Sequence, residues 1–226
     1  MKKILCVVTS NNVKGSTGIP TGFWLSELTH PLEKFSAAGI EFALASIKGG
    51  KPPIDGDSLD FNDPINKKFW DDADFQGKLT STLKLSDVNS ADFDAIFFAC
   101  GHGVMWDFAD CAAIDKVTRE IYERGGIVSA VCHGPAALVN VKLNNGKFLV
   151  EGKNLTSFTN GEEEAVQATD IVPFLLETAL KNHGAIHHAA ENWSNHVVED
   201  GRLITGQNPA SAAGVGEAVV KLLKEE

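Results

Sequence analysis

The sequence predicts an α/β protein built on a doubly wound, mostly parallel sheet with helices on both faces, and three observations predict it. Four runs rich in β-branched and apolar residues, Ile4–Thr9, Ile40–Ser46, Asp94–Cys100 and Ile127–Cys132, are bounded by Gly, Asn or Asp, as strands buried on both faces are. Helical periodicity separates successive runs, and such alternation points to parallel strands joined by crossover helices. With 226 residues, 43% hydrophobic and 22% charged, the chain can bury a sizeable core and is read as one domain over 1–226.

The first helix is expected within GFWLSELTHPLEKFSAAG, where Leu25, Leu28, Leu32 and Phe35 share one stripe and Gly39 supplies the stop. Residues 49–90 interrupt the rhythm. A Pro/Gly/Asp-rich opening leads into DPINKKFWDDADF and then a helix-like TSTLKLSD. An insertion of this length is either a lid or partner-facing layer or a decorated surface loop. From Cys111 to Arg124, Ile114, Val117 and Ile121 form the stripe of another helix, ended by Gly125-Gly126. A weak strand after Lys147 is followed by a long helical pattern over Asn160–Lys181, opened by Glu162, Glu163 and Glu164, which suit a helix N-terminus. HVVEDGRLITG reads as a hairpin around Asp200-Gly201, and a last helix runs from about Pro209 to Lys224.

Composition removes several function classes. A net charge of −10 and a pI near 5.1 disfavour nucleic acid and anionic membranes as partners. No basic run exceeds a Lys-Lys pair such as Lys67-Lys68, and no stretch approaches the roughly 20 apolar residues of a membrane span. The opening MKKILCVVTS reads as a first strand and not as an export signal, so a cytoplasmic location is expected. Cys6, Cys100, Cys111 and Cys132 lack CxxC spacing, and the seven histidines show no metal-ligand spacing. Neither GxGxxG nor a P-loop follows a strand, so neither a metal nor a cofactor is expected.

Chemistry concentrates in IVSAVCHGPAAL, where an apolar strand runs into Cys132, His133, Gly134 and Pro135. A nucleophile on such a strand-to-helix elbow is held in strained backbone and tolerates only small neighbours, here Ala130 and Gly134. A helix N-terminus beside the sulfur would favour thiolate. The preceding strand ends in FFACGHGVMWDF, so the N–H groups of Gly101 and His133 are candidates for an oxyanion hole, a plain glycine turn being the alternative. Glu27 stands between Trp24 and Pro31 on the first helix. It is either partly desolvated and protonated, or an ordinary solvated glutamate.

These motifs also carry a resemblance. TGFWLSELTHP, SLDFNDP, DAIFFACGHG, AVCHGPAAL, LTSFTNGEEEA and DGRLITGQNPAS, in this order over nearly the whole chain, resemble the ThiJ/PfpI superfamily, in the branch of heat-shock chaperones and glutathione-independent glyoxalases (glyoxalase III). The resemblance implies a flavodoxin-like, class I glutamine amidotransferase-like fold. It also implies Cys132 as nucleophile, His133 as its imidazole, Glu27 as the acid at the sulfur and Gly101 as oxyanion donor. A carboxylate after the FTN segment is implied to orient the histidine: Glu163, with Glu164 and Glu162 as alternatives. Trp24 and His102, within the same motifs, are further candidates. Cys100 departs from the pattern, standing where relatives carry a smaller residue.

The implied activity is conversion of methylglyoxal, a 2-oxoaldehyde, to lactate without glutathione (D-lactate dehydratase type), with possible protein deglycase activity, in a homodimer. Competing readings are a holding chaperone for unfolded clients or a redox sensor, and third a cysteine peptidase or amidotransferase.

Overall fold

The computed structural model describes residues 2–225. In chain order the first half contains β1 (Lys3–Val8), α1 (Leu25–Ala37), β2 (Glu41–Ser46), α2 (Pro64–Asp71), α3 (Ala73–Thr80), β3 (Leu83–Lys84), β4 (Ala95–Phe98), α4 (Val104–Asp107) and α5 (Ala112–Glu123). The second contains β5 (Ile127–Val131), β6 (Asn154–Leu155), α6 (Asn160–Ala165), α7 (Leu176–Asn182), β7 (Ile186–His187), β8 (Val197–Asp200), β9 (Leu203–Gly206) and α8 (Ala212–Glu225).

Seven strands form one sheet in the order β3-β2-β1-β4-β5-β9-β8, all pairs parallel except β8 with β9. This is the doubly wound, mostly parallel α/β fold that the buried runs and intervening helices predict. The central strands carry Val, Ile, Leu, Phe and Ala without alternation because both faces are covered. Phe97 meets Phe35 of α1 edge-on, whereas its neighbour Phe98 meets Phe108 after α4, on the opposite face. β6 and β7 form a separate two-stranded sheet. No helix among the described residues is long and apolar enough to cross a membrane.

Two expected helices are corrected. TSTLKLSD is not helical: α3 ends at Thr80, β3 pairs with β2, and Leu85–Asp87 is a 3₁₀ turn. Its apolar residues mark an edge strand two residues long, too short for periodicity to identify. The long pattern over Asn160–Lys181 breaks into α6 and α7. Between them Gln167 adopts φ 55°, a left-handed conformation that no helix accommodates, and Pro173 lacks an N–H to continue one.

The insertion docks on α1. Thr29 Oγ1 donates to Asn66 Oδ1 at 2.6 Å, His30 Nε2 bonds Asp63 Oδ2 at 2.7 Å, and Lys68 pairs with Glu33 at 2.7 Å. Its opening segment also pairs with the chain before α1, Phe23 N–H donating to Pro53 O and Asp55 N–H to Phe23 O. Gly22 permits this approach, since a Cβ there would lie 2.3 Å from Pro53 O.

Candidate active site

β1, β4 and β5 end at the same edge of the sheet, so the turns after β4 and β5 lie side by side, where open α/β sheets place ligands. Immediately after β5, Cys132 adopts φ 61°. Such a conformation costs a non-glycine residue about 1–3 kcal/mol and persists only when its surroundings over-determine it. They do so here: Cys132 N–H donates to Gly206 O at 2.9 Å, and Phe158 N–H donates to Cys132 O at 2.7 Å. The small neighbours have a visible reason, since a Cβ on Gly134 would lie 2.5 Å from Phe98 O and 3.4 Å from the Ala130 methyl.

Cys132 opens onto a cavity of about 330 Å³ lined also by Trp24, Glu27, Gly101, His102, His133, Phe158, Val166, Trp193 and Pro209. No residue of 49–90 lines it, so the insertion is not a lid over this cavity; it forms a layer on α1. A larger concavity of about 780 Å³ lies at the opposite end of the strands, around Lys3, Glu41, Phe42 and Lys78, and its lining holds no cysteine or histidine.

Around Cys132 the polar groups converge. His133 Nδ1 is 3.6 Å from Cys132 Sγ, and His133 Nε2 is 2.6 Å from Glu163 Oε2. The other oxygen, Glu163 Oε1, bonds His102 Nε2 at 2.9 Å. Burial works against charge on His133, but the Glu163 carboxylate outweighs it and lifts the imidazole to about 9. Burial likewise pushes Glu163 up, yet the two imidazoles hold it down at about 2. His102 is lowered by burial and then by the charge on His133. The pair is therefore an imidazolium–carboxylate pair at neutral pH, with His133 1% and Glu163 2% exposed.

Of the three adjacent carboxylates, Glu163 is the one that reaches His133. Glu162 does something the sequence reading missed. It closes a capping box with Thr159, and its Oε1 accepts from Trp193 N–H, Gln207 Nε2 and Asn208 Nδ2 at 2.8, 3.1 and 2.9 Å. Thr159 followed three residues later by Glu162 is the capping-box signature and was available in the sequence. Glu164 is exposed and turned away. Phe158, Trp193, Val166 and Pro209, which supply much of the apolar wall, had no local signal; distant segments bring them together.

Glu27 is 1% exposed, and neither carboxylate oxygen has a hydrogen-bond partner by ordinary geometry. Burial, followed by charge on Cys100, raises it well above the usual carboxyl range. It is the desolvated, protonated glutamate of the two alternatives the periodicity left open.

Two expectations are corrected. The elbow leads into a five-residue 3₁₀ helix, Gly134–Leu138, and not an α-helix. Burial, then the Cys100 sulfur and Glu27, push the Cys132 thiol up instead of down. On Cys100 burial is outweighed by hydrogen bonds from Cys132 and His133, which lower it. Secondly, His133 N–H donates to Cys100 Sγ at 2.9 Å, so this half of the expected oxyanion hole is occupied; Gly101 lines the cavity as expected. Two metal-capable groups also assemble from distant segments, Cys100–Cys132–His133 and His102–His133–Glu163, which sequence spacing had no means of showing.

Residues 18–222 match the DJ-1/PfpI family. The chain belongs to that family. Among its DJ-1/PfpI relatives, Glyoxalase 3 of Candida albicans is 35% identical over 230 residues, covering 97% of this chain and 98% of that protein. The glutathione-independent glyoxalase HSP31 of Saccharomyces cerevisiae is 34% identical, covering 99% of this chain and 98% of its own. The X-ray structure of Rapid Encystment Protein 24 KDa from Francisella tularensis superposes with a TM-score of 0.96 at 43% identity, covering 99% of each chain.

Proposed function

We propose that this DJ-1/PfpI protein is a glutathione-independent glyoxalase that converts methylglyoxal to lactate. The observation that carries the reading is the convergence of Cys132, the His133–Glu163 pair and protonated Glu27 on one small cavity with apolar walls. Full-length relatives named as glyoxalases support it.

In this reading Cys132 gives up its proton to the Cys100 sulfur and adds to the aldehyde carbon. Glu27 donates a proton to the new oxygen, giving a hemithioacetal. His133, in its neutral form and steadied by Glu163, removes the proton from the former aldehyde carbon and returns it to the adjacent carbonyl carbon, while Glu27 takes back the hydroxyl proton and passes it to the second oxygen, leaving a lactoyl thioester. Water cleaves the thioester, releasing lactate and the thiol. Covalent capture and a positioned base are what a 1,2-shift of this kind requires.

The test is lactate formation from methylglyoxal without glutathione, by the wild type and by Cys132→Ala. Lactate from the wild type alone is expected. Its absence from both overturns the reading for this substrate, and suppression of client aggregation then becomes the assay to run. A homodimer accompanies this reading and is checked by light scattering.

A further inference from the structure

The departure at Cys100 puts a second sulfur behind the nucleophile. β4 and β5 pair in parallel with Phe98 opposite Ala130, and two more residues along each chain bring Cys100 opposite Cys132. Adjacent parallel strands run about 4.8 Å apart, within the Cα separations of about 4.4–6.8 Å that a disulfide spans. The two sulfurs and a ring nitrogen of His133 all lie within 4.8 Å of one another. Their exposures differ in kind: Cys132 lines the cavity, whereas Cys100 is fully buried behind it.

From this geometry we infer that Cys100 is a resolving thiol, and that hydroperoxides convert the Cys100–Cys132 pair to an intramolecular disulfide that reversibly closes the site. A peroxide reaches only the sulfur on the cavity. The Cys132 sulfur attacks a peroxide oxygen, the O–O bond breaks, and the departing hydroxide or alkoxide takes the Cys132 proton and leaves as water or an alcohol. Cys132 is now a sulfenic acid. Cys100 thiolate attacks that sulfur, the S–S bond forms, the S–O bond breaks and hydroxide leaves as water after protonation. The two sulfurs together lose two electrons and the peroxide gains them; a dithiol reverses the change. His133 N–H, aimed at Cys100 Sγ at 2.9 Å, holds the attacking sulfur in its anionic form and in place.

A sulfenic acid left alone advances to sulfinic and sulfonic acids, which thiols do not reverse. The second sulfur therefore trades a permanent loss of the nucleophile for a temporary one. The inference does not depend on which aldehyde the site takes. Cys6, buried within β1, and Cys111, half-buried at the start of α5, serve as internal references.

The test treats the wild type and Cys100→Ser with a several-fold molar excess of hydrogen peroxide, then alkylates free thiols and maps peptides without reduction. The wild type is expected to lose the mass of two hydrogens, to yield a peptide joining Cys100 to Cys132, and to recover both thiols with dithiothreitol. Cys100→Ser is expected to gain two or three oxygens on Cys132 that dithiothreitol does not remove. Wild-type Cys132 advancing to sulfinic acid while Cys100 still alkylates would overturn the inference. A disulfide through Cys6 or Cys111 instead would do the same. If Cys100→Ser fails to fold, the wild-type peptide map alone decides.

Discussion

The turns that follow β4 and β5 are built from nearly the same letters and have diverged in physics. Cys100-Gly101-His102 and Cys132-His133-Gly134 each place a cysteine at a strand end, an imidazole close behind and a left-handed residue at the bend. In the first turn glycine takes that conformation, at φ 150°, and the cysteine is sealed in; in the second the cysteine takes it, at φ 61°. The two imidazoles divide one carboxylate, Glu163, yet His133 is raised to about 9 while His102, 15% exposed, is lowered. A reactive centre, on this comparison, is made by which residue bears the strain and which imidazole is buried deeply enough to need its counter-ion.

Exchanging the roles of the two turns should be impossible, and the largest effect tests that. Cys132→Ser is expected to lower glyoxalase turnover roughly 10³-fold or more, as loss of a nucleophile does. Cys100→Ser should cost at least about tenfold less, because its contact is with the His133 backbone. Equal losses in a steady-state lactate assay would break the comparison.

Gly101→Ala should destabilise the fold by about 3 kcal/mol, since φ 150° is strained for alanine and its Cβ would lie 2.2 Å from Gly22 O. Chemical denaturation measures this. A variant as stable as the wild type would show that the first turn does not need its glycine.

Glu163→Gln is expected to reduce turnover about tenfold to a hundredfold and to flatten the pH dependence of stability. His133 binds its proton more tightly folded than unfolded, so its contribution is complete below 6.5 and vanishes as pH rises through about 9. Glu163 holds its proton more weakly when folded. Its contribution is present above 4.5 and is lost as pH falls through about 2. Thermal melts across pH should show both flanks in the wild type and neither in the variant.

His102→Asn, the smallest change, should alter turnover by less than about tenfold, because Glu163 keeps its bond to His133. A loss as large as that of Glu163→Gln would make His102 the equal of His133.

Much of this was legible in the chain. Buried strands announce themselves as apolar runs, and Ala130, Gly134 and Pro135 around Cys132 gave the elbow away because close packing at that turn excludes larger groups. The edge strand β3 was not legible, since a two-residue strand leaves no periodic trace; the break between α6 and α7 was legible only in Pro173, the left-handed Gln167 giving no sign. Within the site, Glu162, Glu163 and Glu164 looked interchangeable from spacing alone. Only the direction of each side chain on the first turn of α6 separates them, and that turn is fixed by contacts from Thr159 and residues 193–208. The occupied His133 N–H escaped notice for a similar reason, as it depends on the approach of two strand ends 33 residues apart.

Adjacent positions on that one turn of α6 serve two masters: Glu163 steadies the imidazole beside the sulfur, and Glu162 suspends the backbone of Trp193, itself left-handed at φ 67° and at the mouth of the cavity. Selectivity and reactivity are thereby yoked. Any drift that re-aims the indole to admit a bulkier aldehyde tugs on the same half-turn that holds His133 in place, so new substrate ranges should arise by changing the free walls, Val166 or Pro209, while the glutamate pair stays put.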